Sequence, residues 1–226
     1  MSSTSNTYKS VVPVDGKPRV FKRGGARCRK SRVSRFLTKA QVSSLARAIL
    51  CAVQLGLPLN RCITIHWERA GIPEAKSAWA TGQFLKYLRD WLRKRKQSFS
   101  YVWIRENDHG DGSKGDHVHI LVHIPKGQTI GRLQLRWIKR ITGRTYQKGV
   151  IQTGRVGGTA DAALASPEHY NANLLCVGHY VLKGGSQAVS EALGLGRWGE
   201  GGRVIGKRCG MSRNLFRTKS TNSERQ

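Results

Sequence analysis

His117, His119 and His123 occupy alternate positions of GDHVHILVHIP, residues 115–125, in a chain with only seven histidines. In an extended strand that spacing puts the three imidazoles on one face, and Val118, Ile120, Val122 and Ile124 on the other. A strand that only needs a wet face has no use for so many imidazoles, and imidazole is a strong ligand for divalent metals. The acids point the same way. Of thirteen in the chain, Glu106, Asp108, Asp111 and Asp116 fall within 106–116. A basic chain that gathers its scarce negative charge beside histidines is expected to hold a cation there.

Asp111-Gly112 is a strong two-residue hairpin signal. A turn centred on it sets Glu106 opposite His117 and Ile104 opposite His119, and directly opposed side chains share a face about 5 Å apart. Glu106, His117 and His119 then converge. Two imidazoles and a carboxylate leave coordination positions open for a substrate phosphate. Ligation by N and O without thiolate favours Mn²⁺ or Mg²⁺, with a catalytic zinc as the alternative. Gly110 and Gly115 leave a longer loop and a shifted register open. His123 is then either a residue behind the site, a DNA-facing one, or simply exposed.

The second chemical signal is VGHYVLK. Among six tyrosines only Tyr180 has a lysine three residues on, and Lys183 would stand on the same helix face one turn later. A phenol is a weak nucleophile at its ordinary pKa of ~10, and neighbouring positive charge favours the phenolate. His179 beside it reads as a surface residue.

Several elements must position these groups. TKAQVSSLARAILCAVQLGLP opens with a capping box, Thr38 with Gln41, and carries Val42, Leu45, Ile49 and Val53 at helical spacing. RCITIHWER is a strand. EAKSAWATGQFLKYLRDWLRKRK is a helix with Phe84, Leu85, Leu88, Trp91 and Leu92 on its apolar face and Lys86, Arg89, Arg93 and Lys94 outside. SFSYVWIRE and DHVHILVHI pair as strands, GRLQLRWIKRI is a shorter helix, and GVIQTGRV is a strand. SPEHYNANLLCVGHYVLKGG is a helix with Ser166 at its cap, Pro167 at its first position and Gly184-Gly185 at its end. From residue 61 the order is β-α-β-β-α-β-α. Its first six elements predict an α+β fold of the ferredoxin-like, split βαβ kind: a central antiparallel sheet, helices on one face, and basic flexible arms on either side.

Charge sets the partner. Forty Lys and Arg against thirteen acids give +27, which points to a polyanion, and DNA or RNA before an anionic membrane. The longest apolar stretch, LARAILCAVQLGLPL, is too short to span a bilayer, and the N-terminus has no secretory pattern. Five scattered cysteines without C-x-x-C argue against disulfides or a zinc knuckle. A cytoplasmic protein is expected. No G-x-x-x-x-G-K-[ST] loop is present.

A Glu ending one strand, HVH on the next, and a downstream helical YVLK resemble the HUH superfamily of single-strand DNA endonucleases, with the replication initiators of small circular single-stranded DNA elements as the nearest likeness. The resemblance covers residues 60–184. It implies that Glu106, His117 and His119 hold the divalent ion. It also implies that Tyr180 attacks a phosphodiester to leave a 3′-OH and a 5′-phosphotyrosine, and that Lys183 positions or neutralises the phosphate. With one tyrosine in this context, the chain is similar to the single-tyrosine type. The first motif of that superfamily is only faintly echoed in CITIHW, so His66 and Trp67 receive no role.

The implied activity is rolling-circle replication initiation of a plasmid or phage. The alternatives are an HUH transposase or relaxase, and outside the class a non-enzymatic ferredoxin-like nucleic-acid-binding regulator or a metal-dependent hydrolase without a covalent step. The domain organisation expected is a basic flexible arm at 1–37, an accessory helix at 38–58, a catalytic domain at 59–185 and a basic glycine-rich tail at 186–226. The implied partner is single-stranded DNA or a DNA hairpin, with unwinding left to a host helicase. Candidate DNA contacts are Arg23, Arg27, Arg29 and Lys30 in the arm, Arg93 and Lys94 on the long helix, and Trp198, Lys207, Arg208 and Arg213 in the tail. The DNA sequence read and the oligomeric state stay open.

Overall fold

The computed structural model describes residues 32–108, 115–157, 166–195, 199 and 201–216. Its core is a five-stranded antiparallel sheet. β1 (Val33–Ser34) lies outside that sheet, and α1 (Lys39–Gln54) follows it. The sheet strands are β2 (Arg61–His66), β3 (Tyr101–Asp108), β4 (Gly115–Val122), β5 (Ile151–Arg155) and β7 (Cys209–Met211), in the order β5-β2-β4-β3-β7. Without the β7 edge this is the split βαβ arrangement that the element order predicts. Between its strands run α2 (Glu74–Arg93) and α3 (Gly131–Thr142). α4 (Pro167–Leu182) and the short α5 (Gln187–Ala192) come after β5.

Strand alternation divides the core in two. Ile63, Ile65, Val118, Ile120 and Val122 pack with Phe84, Leu88 and Leu92 of α2 and Ile138 and Ile141 of α3. The other face carries Val102, Ile104 and Leu121 under Leu45 and Ile49 of α1 and Leu174 and Val181 of α4. The helices of the split βαβ unit thus share one face as expected, and α1 and α4 cover the opposite one. The metal-face histidines have the same parity as Leu121, so they open toward α4.

Local signals hold at several ends. Thr38 Oγ1 accepts from Gln41 N–H while Gln41 Oε1 accepts from Thr38 N–H, the complete capping box. Pro167 begins α4, but the Ser166 side chain makes no capping bond. β2 stops at His66, because residues 67–71 turn back on themselves through Ala70 N–H to His66 O and Ile72 N–H to Trp67 O.

Composition alone misjudged the flanks. Residues 33–37, expected in the flexible arm, are built into the fold: β1 pairs with β6 (Val204–Ile205), and Leu37 is buried and bonds to Gly184 O. The tail contributes α5, β6, β7 and a 3₁₀ turn at Arg213–Phe216, and β7 extends the sheet beside β3. Isolated anchors such as Leu37, Val204 and Leu215 do this without any apolar period to read. No helix among the described residues is long and apolar enough to cross a membrane. Cys51, Cys62, Cys176 and Cys209 are free thiols.

Candidate active site and metal centre

β3 and β4 pair in the register expected from the hairpin: Glu106 opposite His117, and Ile104 opposite His119. The turn itself, with Asp111-Gly112, lies outside the described residues. Potential ligand atoms of Glu106, His117 and His119 lie within 4.8 Å of one another, and all three residues are buried. Glu106 Oε2 is 3.4 Å from His117 Nε2 and 3.8 Å from His119 Nε2.

The imidazole tautomers follow from their other contacts. His117 Nδ1 lies 2.7 Å from Gly115 O, and a carbonyl only accepts, so Nδ1 carries the proton and donates. His119 Nδ1 is 2.9 Å from Thr64 Oγ1. The Nε2 atoms of both rings are thereby aimed at the carboxylate. His119 Nε2 and Glu106 Oε1 are buried without a hydrogen-bond partner. An imidazole lone pair facing a carboxylate is acceptor against acceptor, an arrangement a cation between them resolves. The three residues fit a divalent ion.

Charge states agree. Burial pushes the Glu106 carboxyl up, but contacts with His117 and His119 and the Lys183 charge outweigh it and hold it well below the usual carboxylate range. His119 is pulled down, mainly by burial and against the pull of Glu106, which favours the neutral ligating form. Both are prepared for a metal at neutral pH.

α4 brings the other half. The Tyr180 ring stands edge-on to His119, centroids 5.2 Å apart. Lys183 Nζ lies 4.7 Å from the Tyr180 ring centroid and 3.3 Å from Glu106 Oε2. The helical spacing of three residues therefore does place lysine and phenol together, against the carboxylate. The backbone beyond them is clamped: Gly199 N–H donates to Lys183 O, Leu37 N–H to Gly184 O, and Asn107 N–H to Gly201 O. A Cβ on Gly201 would come within 3.2 Å of Gly184 Cα, so this junction needs glycine.

Other candidates separate from this site. Asp116 faces away from Glu106 and forms a buried ion pair with Arg105, whose guanidinium also donates to Glu74, Ile205 and Lys207 carbonyls. It is no part of the cation cluster. His123 is buried, with Nδ1 donating to Pro58 O, four residues up the strand or about 13 Å from His119. It is neither exposed nor at the site. His179 is partly exposed beside α1.

Arg208, expected to contact DNA, is 3% exposed and spends its guanidinium on the Gly201 and Gly202 carbonyls. A phosphate does not reach it. Arg93 and Lys94 are exposed but end a helix whose first residue, Glu74, bonds near the site end of the sheet; nineteen residues of helix carry them about 28 Å away. Arg213 is exposed beyond β7, near Tyr101 at the opposite end of β3. Lys207 is exposed and covers the Trp103 ring. Arg23, Arg27, Arg29, Lys30 and Trp198 lie outside the described residues. Trp67 is a core residue, its indole N–H bonded to Thr81.

The sequence motifs did not assign two contributors. Thr64 orients His119, and its signal was only its register opposite the HVH strand. His66 pairs across from His117, ring centroids 5.4 Å apart, which places it on the rim of the cluster.

Neither a curated protein nor a solved structure gives a match. Residues 63–166 match a family model described as replication-associated protein, of the ORF2 group. The matched segment contains Glu106, His117 and His119 and ends before Tyr180 and Lys183. Over that segment the chain is similar to replication-associated proteins, which supports a replication initiator-like protein with a role in replication initiation and an interaction with DNA.

Proposed function

We propose that the protein is a metal-dependent, single-tyrosine endonuclease and strand transferase on single-stranded DNA that starts rolling-circle replication of a small element. The observation that carries this is the convergence of Tyr180 and Lys183 on the Glu106–His117–His119 cluster, from a helix more than sixty residues downstream of that hairpin.

In this reading Glu106, His117 and His119 hold a divalent ion, Mn²⁺ or Mg²⁺. When bound, the ion supplies Lewis-acid polarisation of the scissile phosphate. Tyr180 Oη forms a bond to phosphorus as the P–O3′ bond breaks; the phenol gives up its proton, and the departing 3′ oxygen takes one from solvent. The products are a 3′-OH and a 5′-phosphotyrosine, and attack by a 3′-OH reverses the step. Lys183 lies between phenol and carboxylate, where its ammonium favours phenolate character and offsets the charge of the incoming phosphate. Burial of the cluster keeps these charges in a low-dielectric setting where they act strongly.

The test uses short single strands covering the element's own origin, in Mn²⁺ or EDTA, resolved on denaturing gels. A protease-sensitive covalent adduct is expected that disappears with EDTA, Tyr180→Phe or His117→Ala. Cutting that survives Tyr180→Phe would indicate hydrolysis without a covalent step. Tight binding indifferent to EDTA, with no adduct on any origin strand, would indicate a binding module.

A further inference from the structure

Between residues 117 and 160 the sequence holds eight lysines and arginines and no aspartate or glutamate. Much of that charge lies on α3 and on the β5 edge. Arg132, Arg136, Lys139 and Arg140 are all exposed, while Trp137, Ile138 and Ile141 are buried, so the helix has one apolar and one wholly cationic side. Lys139 and Arg140 suit the last turn of a helix, whose dipole is negative there. Arg132 does not: it sits in the first turn, where a cation is disfavoured and where no acid offsets it. α2 makes a useful contrast, because Asp90 at its surface pairs with Lys86, Arg89 and Arg93.

A bond from Thr153 Oγ1 to Gln134 Oε1 joins α3 to β5. Beyond it, Arg61 and Arg155 are directly opposed across β2 and β5, at the rim of a cleft of about 240 Å³ that also includes Gln128 and Gln134. Like charges facing each other across a ladder destabilise it. Burial and the Arg155 charge both lower the Arg61 pKa. An anion beside the two arginines relieves that repulsion.

We infer that α3 and the β5 edge form a second DNA surface, which binds the phosphate backbone of a duplex. Because α3 packs on the sheet face away from Tyr180, this surface is separate from the proposed nicking site and does not depend on it. A single-strand surface needs aromatic platforms for unpaired bases. The exposed large apolar residues among those described are Val33, Phe36, Leu50, Trp79 and Leu175, none of them on α3 or β5. Tyr87 and Trp91, nearby on α2, are capped by Arg140 and Arg95. What the surface offers is charge spread over about 12 Å from Arg132 to Arg140, and a duplex presents the denser row of phosphates. A nicking enzyme so equipped would hold the paired DNA beside the strand that it opens.

The experiment measures binding of the full chain to a fluorescent 20-base-pair duplex and to oligo(dT) across a salt series. The variant R132Q/R136Q/K139Q/R140Q is compared with K86Q/R89Q/R93Q/K94Q, which removes equal charge from α2; melting curves check that both fold. The α3 variant is expected to lose tenfold or more duplex affinity relative to the α2 variant. Its slope of log affinity against log salt should flatten by about 3 to 4, at roughly 0.9 per lost phosphate contact. Oligo(dT) affinity should change less. Equal losses in the two variants, or an equal loss on duplex and oligo(dT), would overturn the inference. Adduct formation on an unstructured origin strand, followed in parallel, should survive in the α3 variant. Its absence from the unmodified protein would count against the Tyr180 reading and leave the duplex comparison standing.

Discussion

Glu106 and His117 stand directly opposite each other on β3 and β4, carboxylate Oε2 3.4 Å from imidazole Nε2. The pairing leaves a negative oxygen facing a ring nitrogen whose proton resides on the other side, on Nδ1 against Gly115 O. His119, two residues on, repeats the arrangement with Thr64 behind it. The cluster is thus organised from behind, by groups that fix which nitrogen faces forward.

That organisation gives the first prediction. Mn²⁺ at a hundred times its Kd should raise the unfolding free energy by about 2.7 kcal/mol, if the ion binds only the folded chain. Thr64→Val keeps a β-branched residue in the strand but removes the oxygen that orients His119. It should weaken Mn²⁺ binding 10- to 100-fold and leave the metal-free melting temperature nearly unchanged. Calorimetric titration with Mn²⁺ checks this; unchanged affinity would mean that Thr64 does not orient the ligand.

The cluster was legible because a hairpin converts sequence positions into neighbours: one turn signal and a period of two fix which side chains meet. Tyr180 and Lys183 were legible for the same kind of reason, a helical spacing of three. Asp116 was misread because its charge was counted without its parity, which turns it to the other face and to Arg105. Arg208 was misread because a cation in a basic tail looks solvated until Gly201 and Gly202 fold over it. The edge strand β7 is three residues long, and α1 and α4 meet the sheet only in three dimensions, so neither could be read from local periodicity.

Arg208 yields the second prediction. Its buried guanidinium holds two carbonyls in the segment that packs against Gly184, beside Lys183. Hydrogen bonds from a charged donor are worth about 1.5–3 kcal/mol each. Arg208→Ala should therefore destabilise the fold by on the order of 3 kcal/mol, read by urea unfolding. The salt dependence of DNA binding should keep its slope. A flattened slope with undiminished stability would restore Arg208 as a phosphate contact.

The third prediction concerns the Arg105–Asp116 pair, whose side chains are 0% and 1% exposed. Its value is not that the pair outperforms apolar residues, since desolvation takes back much of the attraction. Removing one partner is another matter. Asp116→Asn leaves the Arg105 charge buried without its counterion and should cost about 3–5 kcal/mol. Arg105 also bonds to the Ile205 and Lys207 carbonyls, so loss of protection should appear first in amide exchange around 203–211. Exchange that quickens uniformly across the sheet would show that the pair does not fasten this segment in particular.

His123 sets a pH dependence apart from the metal cluster. Burial lowers its pKa below 6.5, only partly opposed by its bond to Pro58 O. A histidine whose folded pKa is depressed is neutral in the fold while the unfolded chain takes up a proton first. Its contribution is therefore complete above about pH 6.5 and is lost as pH falls from there toward the folded pKa, with the unfolded state gaining in proportion. His119 is lowered in the same direction, so the acid limb carries both. Urea unfolding at pH 7.5 and 5.5, metal-free, should show a loss of stability at the lower pH that His123→Gln reduces but does not abolish. An acid limb unchanged by that substitution would mean that His123 accepts a proton as readily folded as unfolded, and that its hydrogen bond to Pro58 outweighs its burial.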